Sequence, residues 1–161
     1  MLRYARVLWL VALVAGLIAG GRPAGAQAKD DPLIGRWLLD RARSEFSGNV
    51  PERRVTFFEL TPAGLKHVTE TVIANGSTDR VEYTARYDEK DVTISNSFLW
   101  QVSIKRIDPR TTVRSGKVMG RVIETSTRTV SPDGQTLTIT TKGSNDGNDY
   151  SSVQVFTREK A

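Results

Sequence analysis

Turn signals recur at short intervals along this chain, and that spacing constrains the fold more than any other feature. The segments between them are rich in β-branched residues, with 17 Thr, 13 Val and 7 Ile in 29–161. Such segments favour strands, and turns this close together predict an antiparallel meander rather than βαβ units. The turn signals are Thr61–Gly64, Asn75-Gly76, Asp88–Asp91, Asp108-Pro109, Ser115-Gly116, Ser131–Gly134 and Ser144–Asn148.

About ten strands fit between these turns, and a helical turn or two is predicted around Arg41–Phe46. Apolar residues make up 43 of the 133 residues from 29 to 161, which is thin for a filled core. We therefore predict an all-β, antiparallel up-and-down barrel of about 8–10 strands, because a closed barrel removes exposed edges and can enclose a small ligand. A two-sheet sandwich is the alternative. The predicted strands are 34–40, 53–60, 65–73, 80–87, 91–95, 98–107, 111–115, 118–130, 135–142 and 150–158.

A secretory leader is predicted over residues 1–28. The chain opens with the basic segment MLRYAR, continues with about 13 apolar or small residues, and reaches an Ala26-Gln27-Ala28 cleavage site. The apolar run is shorter than the roughly 20 residues of a membrane span. We expect cleavage after Ala28, a barrel domain over 29–161, a periplasmic or secreted location and no stable membrane anchor.

Composition excludes several classes of site. Residues 29–161 carry 20 Lys and Arg against 18 Asp and Glu, so a strongly basic nucleic-acid binder is disfavoured. The chain has no Cys and one His, which excludes disulfides, thiol nucleophiles, thiolate metal sites and sites with several imidazoles. No spacing brings two carboxylates together for acid–base work. We expect no catalytic residue, no metal, no cofactor and no nucleic-acid partner, and the sequence indicates no protein partner.

The turn at 131–134 predicts which way Arg128 points. If the loop has four residues, Arg128 lies opposite Leu137, and paired threonines, including Thr127 and Thr129, cover the other face. The threonines either face solvent or line a cavity with hydroxyls. In the first case Arg128 points inward and needs a partner. A carboxylate, a backbone carbonyl, an aromatic face and an acidic ligand all remain open as that partner.

Two other strand pairs contribute aromatic residues. The turn at 61–64 places Phe58 opposite His67 and puts Glu70 on the other face, but both faces carry an aromatic residue, so the inner face is undecided. The lone His is interpreted as a packed strand residue rather than a catalyst. Alternation predicts interior faces on the strands at 80–87 and 98–107, where aromatic residues either fill the core or line a pocket. These aromatic residues are Tyr83, Tyr87, Phe98 and Trp100.

Two motifs resemble those of a known superfamily. Gly35-Arg36-Trp37, at the start of the first strand, resembles the Gly-x-Trp signature of the calycins, which include lipocalins and fatty-acid-binding proteins. The segment from Thr127 through Asp133-Gly134 to Thr140 is similar to the penultimate hairpin of intracellular lipid-binding proteins. The chain as a whole resembles small secreted bacterial proteins described as lipocalin-like. The resemblance implies that Gly35 and Trp37 close one end of a barrel, with Arg158 or Arg128 packed on the indole.

The resemblance also implies a function. Arg128 matches an inward arginine that often meets the ligand carboxylate in the fatty-acid-binding family, whereas Gln154-Val155-Phe156 stand where that family has Arg-x-Tyr. The link from Asp40 to Arg53 is too short for a two-helix lid. The expectation is an exported, non-enzymatic binding protein for a small apolar or amphipathic ligand. The alternative is a filled barrel that binds another protein, and an interior void above roughly 300 Å³ favours the ligand. The expected ligand contacts are Arg128, Trp37, Tyr83, Tyr87, Phe98 and Trp100.

Overall fold

A computed structural model describes residues 31–97, 99–145 and 147–160 of the chain. The predicted leader, 1–28, and Phe98 lie outside the described residues. Ten strands account for most of the rest, close to the number and positions that the turn spacing predicts. They are β1 (Gly35–Phe46), β2 (Arg53–Thr61), β3 (Gly64–Val72), β4 (Thr78–Ala85), β5 (Val92–Thr93), β6 (Trp100–Asp108), β7 (Thr111–Val118), β8 (Arg121–Val130), β9 (Thr136–Asn145) and β10 (Asn148–Arg158).

The strands form one antiparallel sheet in the order β4-β3-β2-β1-β10-β9-β8-β7-β6-β5. Strands β4 and β5 are therefore the two edges, and the segment after β5 brings them together, because the amide of Ser95 donates to the carbonyl of Glu82 at 2.8 Å. The sheet thus curves into a nearly closed barrel, which confirms the predicted all-β up-and-down fold. Within the described ranges the fold contains no helix, so no two-helix lid is present there. None of the described residues forms a helix long and apolar enough to cross a membrane.

The predicted helical turn at 41–46 is wrong. Strand β1 continues to Phe46, and its register against β10 shifts between Asp40 and Glu45. Within this bulge the hydroxyl of Ser44 donates to the carbonyl of Asp40 at 2.6 Å, and the Arg43 guanidinium donates to the Asp40 carboxylate at 2.7 Å. These local bonds take up the extra residues of the bulge while the strand keeps its pairing on either side.

The predicted turn at Ser115-Gly116 is also wrong, because β7 runs on to Val118 and turns at Met119-Gly120. Gly116 is a strand residue for a packing reason. A Cβ at that position would lie 2.6 Å from Cγ of Glu124, so the missing side chain makes room for the Glu124 side chain inside the barrel.

The β8–β9 hairpin has the predicted faces but a different register. Val130 pairs with Leu137 and Arg128 with Ile139, two positions along from the predicted partners. A shift of two residues keeps every side chain on its face, because side chains alternate with a period of two. Thr127 and Thr129 lie on the outer face, and Arg128 points inward at 3% exposure.

One end of the barrel is closed by an apolar core around Trp37, whose indole N–H donates to the carbonyl of Leu33 at 3.0 Å. Arg158, not Arg128, packs on this indole, with its guanidinium carbon 4.1 Å from the ring centroid. All three of its side-chain nitrogens donate to backbone carbonyls, those of Gly134, Ile34 and Pro32, at 2.6 to 2.7 Å. Because each of its side-chain nitrogens is bonded to the protein, this arginine acts as a structural plug that closes this end of the barrel.

Gly35 allows that plug to form. Its φ of +131° lies in a region that favours glycine, and a Cβ there would lie 2.5 Å from the Arg158 guanidinium. Beside the plug, the buried carboxylate of Asp31 pairs with Arg106 and accepts a hydrogen bond from the Tyr87 hydroxyl at 2.8 Å. The segment before β1 is thus tied to β6 and to the segment just after β4, and this end of the barrel is closed by hydrogen-bonded side chains.

Candidate ligand cavity inside the barrel

The half of the barrel away from Trp37 encloses a cavity of about 260 Å³. Its lining comes from inward positions of β2, β3, β4, β7, β8, β9 and β10. Thirteen of its sixteen lining residues are polar or charged, and the three apolar ones are Val81, Ile139 and Phe156. The interior of this barrel is therefore divided into an apolar closed end and a polar, partly hollow open end.

Arg128 lies at the inner end of this cavity. Its Nη2 donates to the Tyr83 hydroxyl at 2.8 Å, and its guanidinium carbon lies 5.2 Å from the ring centroid of Phe58. Nε and Nη1 are buried without a hydrogen-bond partner, and no carboxylate pairs with this side chain among the described residues. A buried cation with two unused donors is costly unless something anionic meets it.

Two further arginines line the cavity. Arg114 pairs with the carboxylate of Glu124, and its Nε is also buried without a partner. Arg54 donates to the side chains of Gln154 at 2.7 Å and Thr71 at 3.0 Å. Burial lowers the pKa of Arg54, although the nearby Asp79 carboxylate works against that shift. The cavity lining thus holds three guanidinium groups and one carboxylate, an excess of positive charge.

His67 also faces the cavity, which settles the undecided face of β3: His67 is inside and Glu70 is exposed outside. Its Nε2 lies 2.8 Å from the Thr56 hydroxyl and 2.9 Å from the Thr69 hydroxyl, and its ring stacks on Phe58 at 4.6 Å. Burial, helped by the positive charges of Arg128 and Arg114, holds the pKa of His67 well below its usual 6.5. The imidazole is therefore neutral at pH 7, with its Nδ1 unbonded.

Glu124 stands between the cavity and the open end. Besides Arg114, it accepts a hydrogen bond from the Tyr150 hydroxyl at 2.9 Å. Burial and the Glu124 charge raise the pKa of Tyr150 to about 12. Gly143 leaves the space for this ring, because a Cβ there would lie 2.5 Å from Tyr150. Gly116 does the same for Glu124, so two strand glycines shape the entrance to the cavity.

A second cavity of about 470 Å³ lies outward of the first, at the junction of β4 with the β5–β6 segment. Its lining includes Arg54, Val81, Arg114 and Glu124, which also line the inner cavity, so the two spaces adjoin. Trp100 and Ile94 supply apolar surface to this outer cavity. Five of the eight exposed large apolar residues of the described chain lie at the same end of the barrel: Val50, Ile73, Leu99, Met119 and Val122.

The structure separates the residues that the sequence suggested as ligand contacts. Arg128 and Tyr83 line the inner cavity, and Trp100 lines the outer one. Trp37 and Tyr87 lie at the closed end, where they pack against Arg158 and Arg106, and they line neither cavity. Phe98 lies outside the described residues. The cavity residues that sequence reasoning missed include Arg54, Arg114, Glu124 and Tyr150.

Known structures contain a similar antiparallel barrel. The wild-type fluorescent protein UnaG is 12% identical, with a TM-score of 0.53 over 78% of this chain and 96% of that one. As-p18, an extracellular fatty acid binding protein, is 14% identical, with a TM-score of 0.55 over 82% of this chain and 99% of that one. At these identities the likeness shows the fold alone. No protein-family model matches the sequence, and no curated protein matches it.

Proposed function

We propose that this protein binds a small amphipathic anion inside its barrel, with the acid group of the ligand on Arg128. The observation that carries the proposal is the Arg128 side chain, 3% exposed, with Nε and Nη1 unbonded. Nη1 offers a charged donor to an acid group, which forms strong hydrogen bonds with a guanidinium, and Nε–H offers another donor on a different edge. As-p18, whose fold is similar, is an extracellular fatty acid binding protein, which supports a ligand with an acid group.

The two adjoining cavities support an amphipathic ligand. The inner cavity offers cations and hydroxyls to an acid group, and the outer one offers the apolar surfaces of Trp100 and Ile94. The inner void alone is about 260 Å³, just under the range usual for ligand pockets, so part of the ligand would extend into the outer cavity. In this orientation the acid group enters first and the apolar part stays near the open end.

The proposed role is binding without catalysis. Glu124 is the one carboxylate in the described lining of the inner cavity, and it is already held by Arg114 and Tyr150. His67 is neutral and bonded to two threonine hydroxyls, so no carboxylate orients it as a general base. We also propose, from the leader predicted over 1–28, that the protein acts in the periplasm or outside the cell. The mass of the protein isolated from the envelope fraction tests this location, because the exported chain should begin at Lys29.

The direct test is native mass spectrometry of protein purified without denaturation from the cells that make it. The wild type should carry a reproducible small-molecule mass, and Arg128→Met should lose it while remaining folded. Arg110→Met is the matched control, because Arg110 is exposed in the β6–β7 turn and should leave the bound mass unchanged. A wild type with no bound mass, and no uptake from a pool of organic acids, would contradict the proposal and favour a protein-binding barrel.

A further inference from the structure

Resting on the proposed function, we infer that the bound acid carries hydroxyl groups next to its acid group, so that the ligand is a hydroxylated organic acid rather than a plain alkyl carboxylate. The structural basis is the set of polar atoms around Tyr83. Arg128, Arg114 and His67 all contact or approach this one side chain, and each retains at least one buried polar atom without a partner.

The buried unbonded atoms around Tyr83 outnumber those that one carboxylate can satisfy. A carboxylate on Arg128 accepts from Nη1, whereas Nε–H points from a different edge of the guanidinium. Nε of Arg114 and Nδ1 of His67 then remain buried and unbonded. The Arg114 guanidinium carbon lies 5.9 Å from the Tyr83 ring centroid, and the His67 ring lies 4.9 Å from it, so both groups border the same space as Arg128. One carboxylate cannot satisfy all of these groups, and a ligand with more oxygens can.

The unbonded atoms of His67 and Arg114 suit ligand hydroxyl groups. The neutral His67 ring shares Nε2 between two hydroxyls, so Nδ1 is a donor in one tautomer and an acceptor in the other. A hydroxyl both donates and accepts, and it suits either tautomer. The Arg114 Nε–H needs an acceptor, which a hydroxyl oxygen also provides. Hydroxyl groups therefore fit the unbonded atoms better than a second carboxylate, which only accepts.

The wall of the inner cavity is mostly polar. An alkyl chain gains about 25 cal/mol for each Å² of apolar surface that it buries against apolar neighbours. The inner cavity offers it three apolar residues among sixteen, and the side chains on the other positions carry hydroxyl, amide, imidazole, guanidinium or carboxylate groups. A plain alkyl chain placed there would displace water from polar groups and return no hydrogen bonds. The wall favours an oxygen-rich molecule.

The experiment compares three acids by calorimetry and by NMR of the single imidazole of the full mature chain. Gluconate and hexanoate share a six-carbon skeleton and one carboxylate, and they differ in hydroxyl groups. Dodecanoate tests a longer alkyl chain. Gluconate should bind at least tenfold more tightly than hexanoate and more tightly than dodecanoate. Each acid that binds should shift the His67 signals, and Arg128→Met should abolish those shifts.

A second variant separates the hydroxyl contacts from the acid contact. His67→Phe keeps an aromatic ring against Phe58 and removes the imidazole nitrogens, so it should reduce gluconate affinity about tenfold and leave hexanoate affinity unchanged. If hexanoate or dodecanoate binds as tightly as gluconate through Arg128, the inference is wrong and the proposed function stands. If none of the three acids binds in an Arg128-dependent way, the proposed function and the inference both fall.

Discussion

Two arginines lie inside this barrel, one at its closed end and one at the inner end of the cavity, and their surroundings differ. Arg158, at the closed end, donates to three carbonyls and lies on the Trp37 indole. Arg128, at the hollow end, is more deeply buried, yet it has one hydroxyl acceptor and two unbonded nitrogens. A side chain whose hydrogen bonds are all satisfied within the protein stabilises the fold. A buried cation with unused donors costs stability, and binding a ligand is a reason to keep it.

The same contrast extends to the neighbours of each arginine. At the closed end, Asp31 neutralises Arg106, and apolar residues fill the space around Trp37. At the hollow end, positive charge exceeds negative charge, and the void is lined by polar groups. We therefore expect substitutions at the closed end to act mainly on the free energy of unfolding. Substitutions around the cavity should act mainly on ligand binding.

Trp37→Ala should give the largest effect on stability. Removing a fully buried indole leaves a cavity and removes the surface on which Arg158 packs, so we expect a loss of about 3–5 kcal/mol in the free energy of unfolding. Urea denaturation of residues 29–161 measures this loss. Trp100→Ala is the comparison, because Trp100 is a half-buried residue of the outer cavity. Its loss in the free energy of unfolding should be less than half that of Trp37→Ala. Equal losses would break the distinction between the two ends.

Asp31→Asn tests the ion pair at the closed end. The substitution leaves the Arg106 guanidinium without its buried carboxylate, and we expect a loss of about 2–3 kcal/mol in the free energy of unfolding. Asp149→Asn, at an exposed position near the cavity entrance, should change stability by less than about 0.5 kcal/mol. Ligand affinity should be unchanged in Asp31→Asn, and a large loss of affinity there would show that the two ends are coupled.

The pH dependence of stability tests the burial of His67 beside the cavity arginines. Because the pKa of His67 is lower in the folded than in the unfolded chain, the folded state binds fewer protons below pH 6.5. Stability should therefore fall as the pH drops below about 6.5, by up to about 1.4 kcal/mol per pH unit from this group. Denaturation between pH 7.5 and 5.5 should show a shallower fall in His67→Gln. If the unfolding free energies of the wild type and His67→Gln fell equally with pH, the pKa of His67 would not be lowered in the folded state, and its imidazole would be solvated.

The sequence predicted the fold well because turn spacing and β-branched segments act locally. Alternation also placed Arg128 on the same face as Leu137 and Ile139, and that assignment survived a two-residue error in register because the shift kept its parity. Glu124 could have been found by the same rule, since it lies on the face of β8 that Arg128 occupies. The predicted turn at Gly116 is wrong because a glycine that makes room for a neighbouring side chain, here Glu124, looks the same in sequence as one that makes a turn.

The rest of the site was not accessible from sequence. Arg54 and Arg114 look like solvent-facing strand residues, and only the curvature of the sheet places them around one cavity. The choice of Arg158 over Arg128 as the partner of Trp37 depends on the β1–β10 pairing, which joins residues 121 positions apart. The assignment of Trp37 and Tyr87 to the closed end depends in the same way on packing between distant segments.

The most direct test of the account compares Arg128→Met with Arg158→Met in one set of measurements, unfolding free energy and affinity for gluconate. Arg158→Met should lose about 2–4 kcal/mol of stability, because three carbonyls lose a charged donor, and should keep its affinity. The unfolding free energy of Arg128→Met should lie within about 1 kcal/mol of the wild-type value or exceed it, because an unpaired buried cation is removed. The same variant should lose its affinity for gluconate. If Arg128→Met lost as much stability as Arg158→Met and kept its affinity for the acid, Arg128 would be a structural residue and the account would be wrong.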